Sequence, residues 1–206
     1  RIIWPDSTHT RELAVQHPDG TRESLGAIDV VFPLLHGPWG EDGTVQGMLE
    51  LTSIPYVGSG VLASSVCMDK HVSKTLFQAA GIKVAPWRTV TRVDYDRDPQ
   101  LTGLLDHLEY PLFVKPSRAG SSVGVSRITS PEELPEALET AFKEDTMVLV
   151  ETGISGREVE ISVLEGRGNA VPRASSVIGE IVFDGKEFYD FEAKYLGSDG
   201  VKLVLP

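Results

Sequence analysis

The chain has 206 residues, of which 41% are hydrophobic and 24% charged, a balance typical of a folded globular protein with a real core. Its formal net charge of −11 argues against a nucleic-acid partner, because a phosphate backbone would be repelled over most of the surface. The lone Cys67 excludes an intramolecular disulfide and a Cys-based metal site, and neither a signal peptide nor a long apolar segment is evident, so we expect a cytoplasmic protein without a membrane partner.

The two ends of the sequence suggest part of a longer protein. The chain opens at Arg1 without an initiator Met, and it closes on the apolar run 201–206, which has the pattern of a strand. We therefore expect a chain that lacks segments at both termini.

Residues 1–63 are predicted to form a partial open α/β layer. The nearly continuous apolar run 28–35 predicts a strand buried on both faces of a parallel sheet. A polar, glycine-rich loop, 36–43, follows it, and Thr44 is predicted to cap a helix that precedes a short strand at 54–57. Ligands gather at the carboxyl ends of strands in such layers.

Residues 64–151 are predicted to form a mixed α+β unit. Asp69 is predicted to cap a helix over Lys70–Ala80, closed by Gly81, whose inward residues are Val72, Leu76 and Phe77. We then expect a strand at 87–93, a polar excursion at 94–100 and a helix at 101–108.

A hairpin with a small-residue tip follows. The run Leu112–Val114 leads to Lys115, and the loop Gly120–Gly124 precedes a returning strand, 125–128. Glycine permits close approach of successive backbone N–H groups, which can bind an anion, with Lys115 adding positive charge. The loop lacks the helix that the Walker and dinucleotide patterns require, so a flexible tip without a ligand is the alternative.

The remaining elements complete an arrangement of α/β and α+β units. Ser130 followed by Pro131 and two glutamates predicts the start of a helix that runs to about Lys143. A strand at 147–150 is predicted to end at Glu151. The third unit, 152–206, is expected to be truncated; it alternates like a strand from 159 to 164 and continues through 174–183.

Five motifs, in order along the chain, resemble the D-alanine–D-alanine ligase family: His36–Thr44, Met68–Lys70, Val114–Ser117, Gly120–Gly124 and Phe188–Tyr195. The resemblance implies an ATP-grasp fold preceded by an N-terminal open α/β layer. It also implies the ATP-dependent joining of two D-alanines, through a D-alanyl phosphate, for peptidoglycan synthesis.

The resemblance assigns nucleotide contacts to specific residues. Lys70 and Lys115 would bind the ATP phosphates, with Ser122 and Gly124 in a flap over them. Glu151 would accept from the adenine amino group, and Glu158 would bind the ribose. The backbone from Thr152 to Ile154 would read the ring edge, and Phe188 would stack near the nucleotide. Ordinary surface charges for Lys70 and the two glutamates, and a core aromatic for Phe188, are the alternatives.

The substrate side and the metal follow from the same resemblance. Ser121 would orient the second amino acid, and His36 would lie at the amino-acid site, with a structural histidine as the alternative. Lys194 and Tyr195 belong to a loop that would close over the site. Mg²⁺ or Mn²⁺ would bridge the phosphates, with its protein ligands expected beyond Pro206. The full-length enzyme is expected to be a homodimer, and this polypeptide to lack part of the catalytic machinery.

Three alternatives remain open. A D-alanine–D-lactate ligase is the nearest, although Tyr195 favours the dipeptide enzyme. Another ATP-grasp carboxylate–amine ligase is disfavoured by the segment 188–195. A non-catalytic nucleotide-binding module differs in class, and it would bind nucleotide without releasing phosphate.

Overall fold

The computed structural model describes residues 1–5, 7–101, 103–183 and 201–205. The chain begins with a three-stranded antiparallel sheet in the order β1-β2-β3, for which the sequence analysis made no prediction. Its strands are β1 (Ile2–Ile3), β2 (Glu12–Gln16) and β3 (Arg22–Ala27). Asp19 forms the turn between β2 and β3, because its carboxylate accepts hydrogen bonds from the N–H and hydroxyl of Thr21.

The predicted strand at 28–35 is not formed. Only Val31 bridges a neighbour, Tyr56, in a parallel arrangement. Phe32 and Leu34 are 65% and 75% exposed, so the prediction of a strand buried on both faces is wrong. A ladder needs hydrogen-bonding neighbours along its length, and residues 54–57, also predicted as a strand, supply this single bridge.

Three helices follow: α1 (Thr44–Leu51), α2 (Val61–Met68) and α3 (Lys70–Ala79). The predicted cap of α1 is off by one residue, since Gly43 is the N-cap with φ 93°, a left-handed conformation that favours glycine. Asp42 accepts from the Thr44 N–H at 2.9 Å. Helix α2 was not predicted from the sequence, because it carries few polar residues and therefore shows little amphipathic contrast.

Helix α3 begins as predicted. The Asp69 carboxylate accepts from the Val72 N–H at 3.1 Å, which satisfies one of the helix's unpaired donors. Its predicted inward face is wrong, because Val72, Leu76 and Phe77 are all exposed to solvent and Ser73 is the buried residue. The apolar pattern therefore predicted the helix correctly, but it predicted the wrong face of the helix as buried.

A four-stranded antiparallel sheet in the order β4-β7-β5-β6 forms the centre of the molecule's α+β part. In chain order its region comprises β4 (Trp87–Thr91), α4 (Arg92–Arg97), β5 (Leu112–Pro116), β6 (Ser126–Ile128), α5 (Leu134–Phe142) and β7 (Met147–Thr152). The hairpin of β5 and β6 is the predicted one. Helix α5 follows a 3₁₀ turn at Pro131–Glu133, and the predicted cap is confirmed as a reciprocal box between Ser130 and Glu133.

Two predictions between β4 and β5 are wrong. Helix α4 occupies much of the predicted polar excursion, capped by Thr91, whose hydroxyl accepts from the Asp94 N–H. Residues 103–107 form turns instead of a helix, residues 101 and 108 are irregular, and Leu101 and His107 have φ values of 44° and 66°. The leucines of this segment nevertheless pack against the core, which explains their helix-like spacing.

The sheet and α5 enclose the main core. Alternate residues of β5 and β7 point toward α5, and buried members of this cluster include Leu112, Val114, Val148, Val150 and Leu138. Each such side chain contributes about 1.5–3 kcal/mol by leaving water. The opposite face of the same sheet carries Lys115 and Glu151, since side chains alternate along a strand.

The last described part contains short strands: β8 (Glu158–Glu160), β9 (Val163–Leu164), β10 (Arg173–Ala174), β11 (Gly179–Phe183) and β12 (Val201–Val204). They form the sheets β12-β11-β8 and β10-β9. The strand predicted at 159–164 is split, because β8 pairs with β11 whereas β9 pairs with β10. The predicted strand at the end of the sequence is confirmed as β12. No helix in the described ranges is long and apolar enough to cross a membrane.

Candidate functional site

A pocket of about 870 Å³ lies against the polar face of the four-stranded sheet. Elements far apart in sequence line it: the loop before α1, helices α2 and α3, the β5–β6 hairpin and the end of β7. Eight of the predicted site residues are among its lining: Lys70, Lys115, Ser121, Ser122, Glu151, Thr152, Ile154 and Glu158. The structure therefore brings most of the predicted nucleotide contacts into one cavity.

Strand register explains how the charged residues meet. On the central strand β7, Glu151 lies opposite Trp87 of β4 and Phe113 of β5. Lys115 lies two residues after Phe113 on the same face, within diagonal reach of Glu151. The alternation that buries Leu112 and Val114 thus delivers Lys115 to the pocket.

Glu151 is held between two ammonium groups. One carboxylate oxygen pairs with Lys115, and the other lies 2.8 Å from Lys74 Nζ. The Glu151 and Lys74 side chains are only 13% and 14% exposed. Burial favours the neutral acid, but the two lysines outweigh it and hold the pKa of Glu151 below its usual value. Glu151 is therefore ionised at neutral pH.

Lys70 is oriented by the base of the hairpin loop. Its Nζ donates to the carbonyl oxygens of Ala119 and Ser117 at 2.6 and 3.3 Å. Burial, followed by the nearby positive charge of Lys115, lowers the pKa of Lys70 to about 8. With Lys115 it forms a cationic pair at the pocket, which favours a polyanionic ligand.

A polar cluster fixes the hairpin to helix α3. The Ser117 hydroxyl donates to Asp69 at 2.7 Å, so the cap of α3 also holds the end of β5. Asp145 accepts from the backbone N–H of Arg118 at 2.8 Å and from its guanidinium at 3.1 and 2.5 Å. The pKa of Asp145 is below its usual value because these donors outweigh the effect of burial.

The loop between β5 and β6 has an unusual backbone. Ser121 and Ser122 both have positive φ, 52° and 59°, in the left-handed region that non-glycine residues rarely adopt. Gly124, at φ 69°, is not among the described lining residues. A Cβ placed on it would lie 2.9 Å from Glu144 Cγ and 3.0 Å from Pro116 Cγ. Gly124 therefore shapes the loop, while the two serines face the cavity.

The segment after β7 supplies the other end of the pocket. The N–H groups of Thr152 and Gly153 are already donated to Pro86 and Pro111 carbonyls at 3.0 and 2.7 Å. An N–H contact from this segment to a ring nitrogen therefore falls to Ile154, which lines the pocket and is exposed. Glu158, the first residue of β8, is also exposed at the pocket.

The remaining predicted site residues lie elsewhere. His36 is exposed and is not in the described lining, although its neighbour Leu35 is. The structure does not bring His36 into the cavity, and its exposure is also unlike that of a buried structural histidine. Lys194, Tyr195 and Phe188 lie outside the described residues.

Sequence reasoning missed two polar residues at or beside the pocket. Lys74 follows Lys70 by four positions, and this spacing places both on one face of α3. Gln46 of α1 is buried in the lining. Its Nε2 donates to the Gly40 carbonyl at 3.0 Å, and its Oε1 has no hydrogen-bond partner within the described part of the chain. No sequence pattern pointed to Gln46.

The described residues do not form a metal site. Among them, no group of three or more His, Cys, Asp or Glu side chains could hold a metal ion. The pocket and its margin bring together ammonium groups, the Gly/Ser loop and a buried carboxylate.

Comparison with known proteins identifies two family models. The D-ala D-ala ligase C-terminus model matches residues 76–206, and the D-ala D-ala ligase N-terminus model matches residues 5–59. A D-alanine–D-alanine ligase of Pseudarthrobacter chlorophenolicus is 50% identical over 198 residues, which are 95% of this chain and 52% of that protein.

Solved structures agree with these matches. The VanG D-Ala:D-Ser ligase of Enterococcus faecalis matches with a TM-score of 0.76 at 32% identity, and the match covers 99% of this chain and 55% of the VanG chain. The D-alanyl-alanine synthetase A of Vibrio cholerae has a TM-score of 0.77 at 32% identity, over 98% of this chain and 57% of its own. The chain spans about half the length of the curated relatives it matches.

Proposed function

This chain belongs to the D-alanine–D-alanine ligase family, and from that premise we propose that the protein joins two D-alanines to D-alanyl-D-alanine with ATP, for peptidoglycan synthesis. The observation that carries the proposal is the convergence of Lys70, Lys115 and the Gly120–Ser122 loop on one pocket. Cations and backbone N–H groups in this arrangement suit the phosphates of a nucleotide.

The residues that line the pocket have specific parts in the proposed reaction. Lys70 and Lys115 hold phosphate oxygens and stabilise the negative charge that spreads over them when the phosphoryl group is transferred. Ser122 covers the phosphates from the loop, and Ser121 orients the second amino acid. Ile154 and Glu158 lie at the end of the pocket where the base and ribose would bind.

The order of the proposed chemistry follows from the activation of a carboxylate. The carboxylate of one D-alanine attacks the γ-phosphorus of ATP, and ADP leaves. The amine of the second D-alanine then attacks the carbonyl of the resulting acyl phosphate, and phosphate leaves. The closing loop assigned to Lys194 and Tyr195 would exclude water and so protect this intermediate from hydrolysis.

The proposed adenine contact of Glu151 competes with its ion pairs. Both of its carboxylate oxygens are bound by lysines, so an adenine amino group would share an oxygen with one of them. His36 would reach an amino acid only if the loop that contains it changed position. The roles of Lys194, Tyr195 and Phe188 stay predictions.

Mg²⁺ or Mn²⁺ accompanying the ATP is also a prediction, as are the homodimer and the cytoplasmic location. The three domain ranges, 1–63, 64–151 and 152–206, likewise stay a prediction.

The test is phosphate release from ATP with and without D-alanine, measured on the 206-residue chain and on Lys115→Ala. D-alanine-dependent release that falls strongly in Lys115→Ala would support the proposal. Nucleotide binding without release would mean that the phosphate site is present and that turnover needs the machinery expected beyond Pro206. The same result with a chain extended beyond Pro206 would favour a non-catalytic binding module. Near-normal release by the variant would contradict the role of Lys115.

The second substrate needs its own measurement, because the fold is shared with a protein named for D-Ala and D-Ser. Supplying D-alanine with D-serine or D-lactate in competition and separating the products would identify it. A dominant ester product would favour the D-alanine–D-lactate alternative.

A further inference from the structure

Lys74, on helix α3, forms an ion pair with the buried carboxylate of Glu151. Its Nζ lies 2.8 Å from Glu151 Oε2 and 5.1 Å from the centroid of the Trp87 ring. The Trp87 indole N–H in turn donates to His71 Nδ1 at 3.4 Å. Lys74 is therefore fixed by an anion on one side and an aromatic face on another.

The two lysines on this face of α3 have different partners. Lys70 is turned toward the hairpin and donates to the Ala119 and Ser117 carbonyls. Lys74, one helical turn later, is turned toward β7 and pairs with Glu151. The described charged groups that act on Glu151 are thus Lys74 and Lys70 from α3 and Lys115 from β5.

Binding of a phosphate changes the balance at Glu151. In the structure Lys115 pairs with one Glu151 oxygen. Once Lys115 turns to a phosphate, that oxygen loses its cation, and an unpaired buried carboxylate is strongly disfavoured and tends to take up a proton. Lys74 has no such competing task, because it faces the carboxylate and the indole.

We propose that Lys74 is a positioning residue of the nucleotide site, which keeps Glu151 ionised and in place while Lys115 exchanges Glu151 for a phosphate. The inference rests on the proposed function. It adds a residue that acts through Glu151 and that need not touch the nucleotide.

Proton uptake distinguishes this role from a purely structural ion pair. Without Lys74, transfer of Lys115 to a phosphate leaves Glu151 with no ammonium group bonded to it, and the adenine amino group is a neutral donor, so nucleotide binding should be accompanied by protonation of Glu151. An ion pair that only joins α3 to β7 would affect folding stability but would not couple nucleotide binding to a proton.

The experiment is isothermal titration of ATP with saturating Mg²⁺ into the 206-residue chain at pH 6.5, in two buffers of different ionisation enthalpy. At this pH Lys70, with its pKa of about 8, is already almost fully protonated and contributes little uptake. The variants are Lys74→Met and Lys74→Arg. Lys83→Met, at an exposed position outside the pocket, is the matched control.

Lys74→Met should bind about tenfold more weakly and take up as much as about one additional proton per bound nucleotide. Lys74→Arg and Lys83→Met should match the unsubstituted chain. Unchanged affinity in Lys74→Met, or weaker binding without proton uptake, would overturn the inference. Absence of ATP binding by the unsubstituted chain would overturn the proposed function together with it.

A second comparison tests the inference if the Lys74→Met variant does not fold. In a Glu151→Gln background no buried charge is left behind when Lys115 moves, so the double variant Glu151→Gln/Lys74→Met should bind ATP as the single Glu151→Gln variant does. A further tenfold loss in the double variant would overturn the inference.

Discussion

The lowered pKa of Lys70 predicts that nucleotide binding weakens in mildly alkaline solution. Burial and Lys115 bring this pKa to about 8. If the protonated form binds phosphate, the binding-competent fraction is about 0.9 at pH 7 and about 0.1 at pH 9, from the titration of a single group with this pKa. The affinity should therefore fall about tenfold over this interval, or about 1.4 kcal/mol.

The sign follows from the ligand's charge. A phosphate favours the ammonium form, so binding raises the pKa of Lys70 and takes up protons when the solution pH lies above about 8. The assay is a titration of ATP with saturating Mg²⁺ at half-unit steps from pH 6.5 to 9. Lys70→Arg should remove the pH step, because a guanidinium stays charged throughout. Lys83→Arg is the control at an exposed position and should retain it.

A flat profile from pH 7 to 9 in the unsubstituted chain would refute this reasoning, since either Lys70 does not meet the phosphates or its pKa is not lowered. A step that persists unchanged in Lys70→Arg would assign the titration to another group.

Further predictions concern the frame around the pocket. Gly124→Ala should lower the free energy of unfolding, measured by urea denaturation, by about 1–2 kcal/mol, because its φ of 69° is left-handed and the new Cβ would lie 2.9 Å from Glu144 Cγ. Gly156→Ala is the control and should be near neutral, because a Cβ at that position has no neighbour within 4 Å. Asp145→Asn should cost about 2 kcal/mol by the same measurement, because it weakens a buried carboxylate's bonds to the half-exposed Arg118; a loss below ~0.5 kcal/mol would contradict this. Because folding lowers the pKa of Asp145, this carboxylate stabilises the folded state at pH values above its unfolded pKa of 3.8, and the stabilisation is lost as the pH falls through its lower folded pKa. Urea titrations at pH 5 and below should show the loss, and Asp145→Asn should make the free energy of unfolding depend less steeply on pH.

The local pattern of the sequence was sufficient for elements whose signals are short in range. The Asp69 cap and the Ser130–Glu133 box are satisfied within one helical turn, so they could be predicted from spacing alone. The apolar run Leu112–Val114 that leads to Lys115 likewise predicted the strand that is observed there. These features depend on neighbours in the chain.

Elements that depend on distant partners were predicted less well. The apolar run 28–35 has the composition of a buried strand, but only Val31 bridges a neighbour in the described chain. The leucines of 101–108 have helical spacing, yet they pack on the core from turns. Apolar composition indicates a tendency to leave water, and tertiary packing decides the backbone conformation by which this happens.

The candidate site divides in the same way. The sequence alone determined that Lys70, Lys115 and the Gly/Ser loop belong together, through motifs that resemble one family. Only the tertiary structure decided that Glu151 is paired on both oxygens and that Lys74 is one of its partners. The physical reason is that the charge state of a buried carboxylate is set by groups within a few ångströms in space, and α3, β5 and β7 supply these groups from positions far apart in the chain.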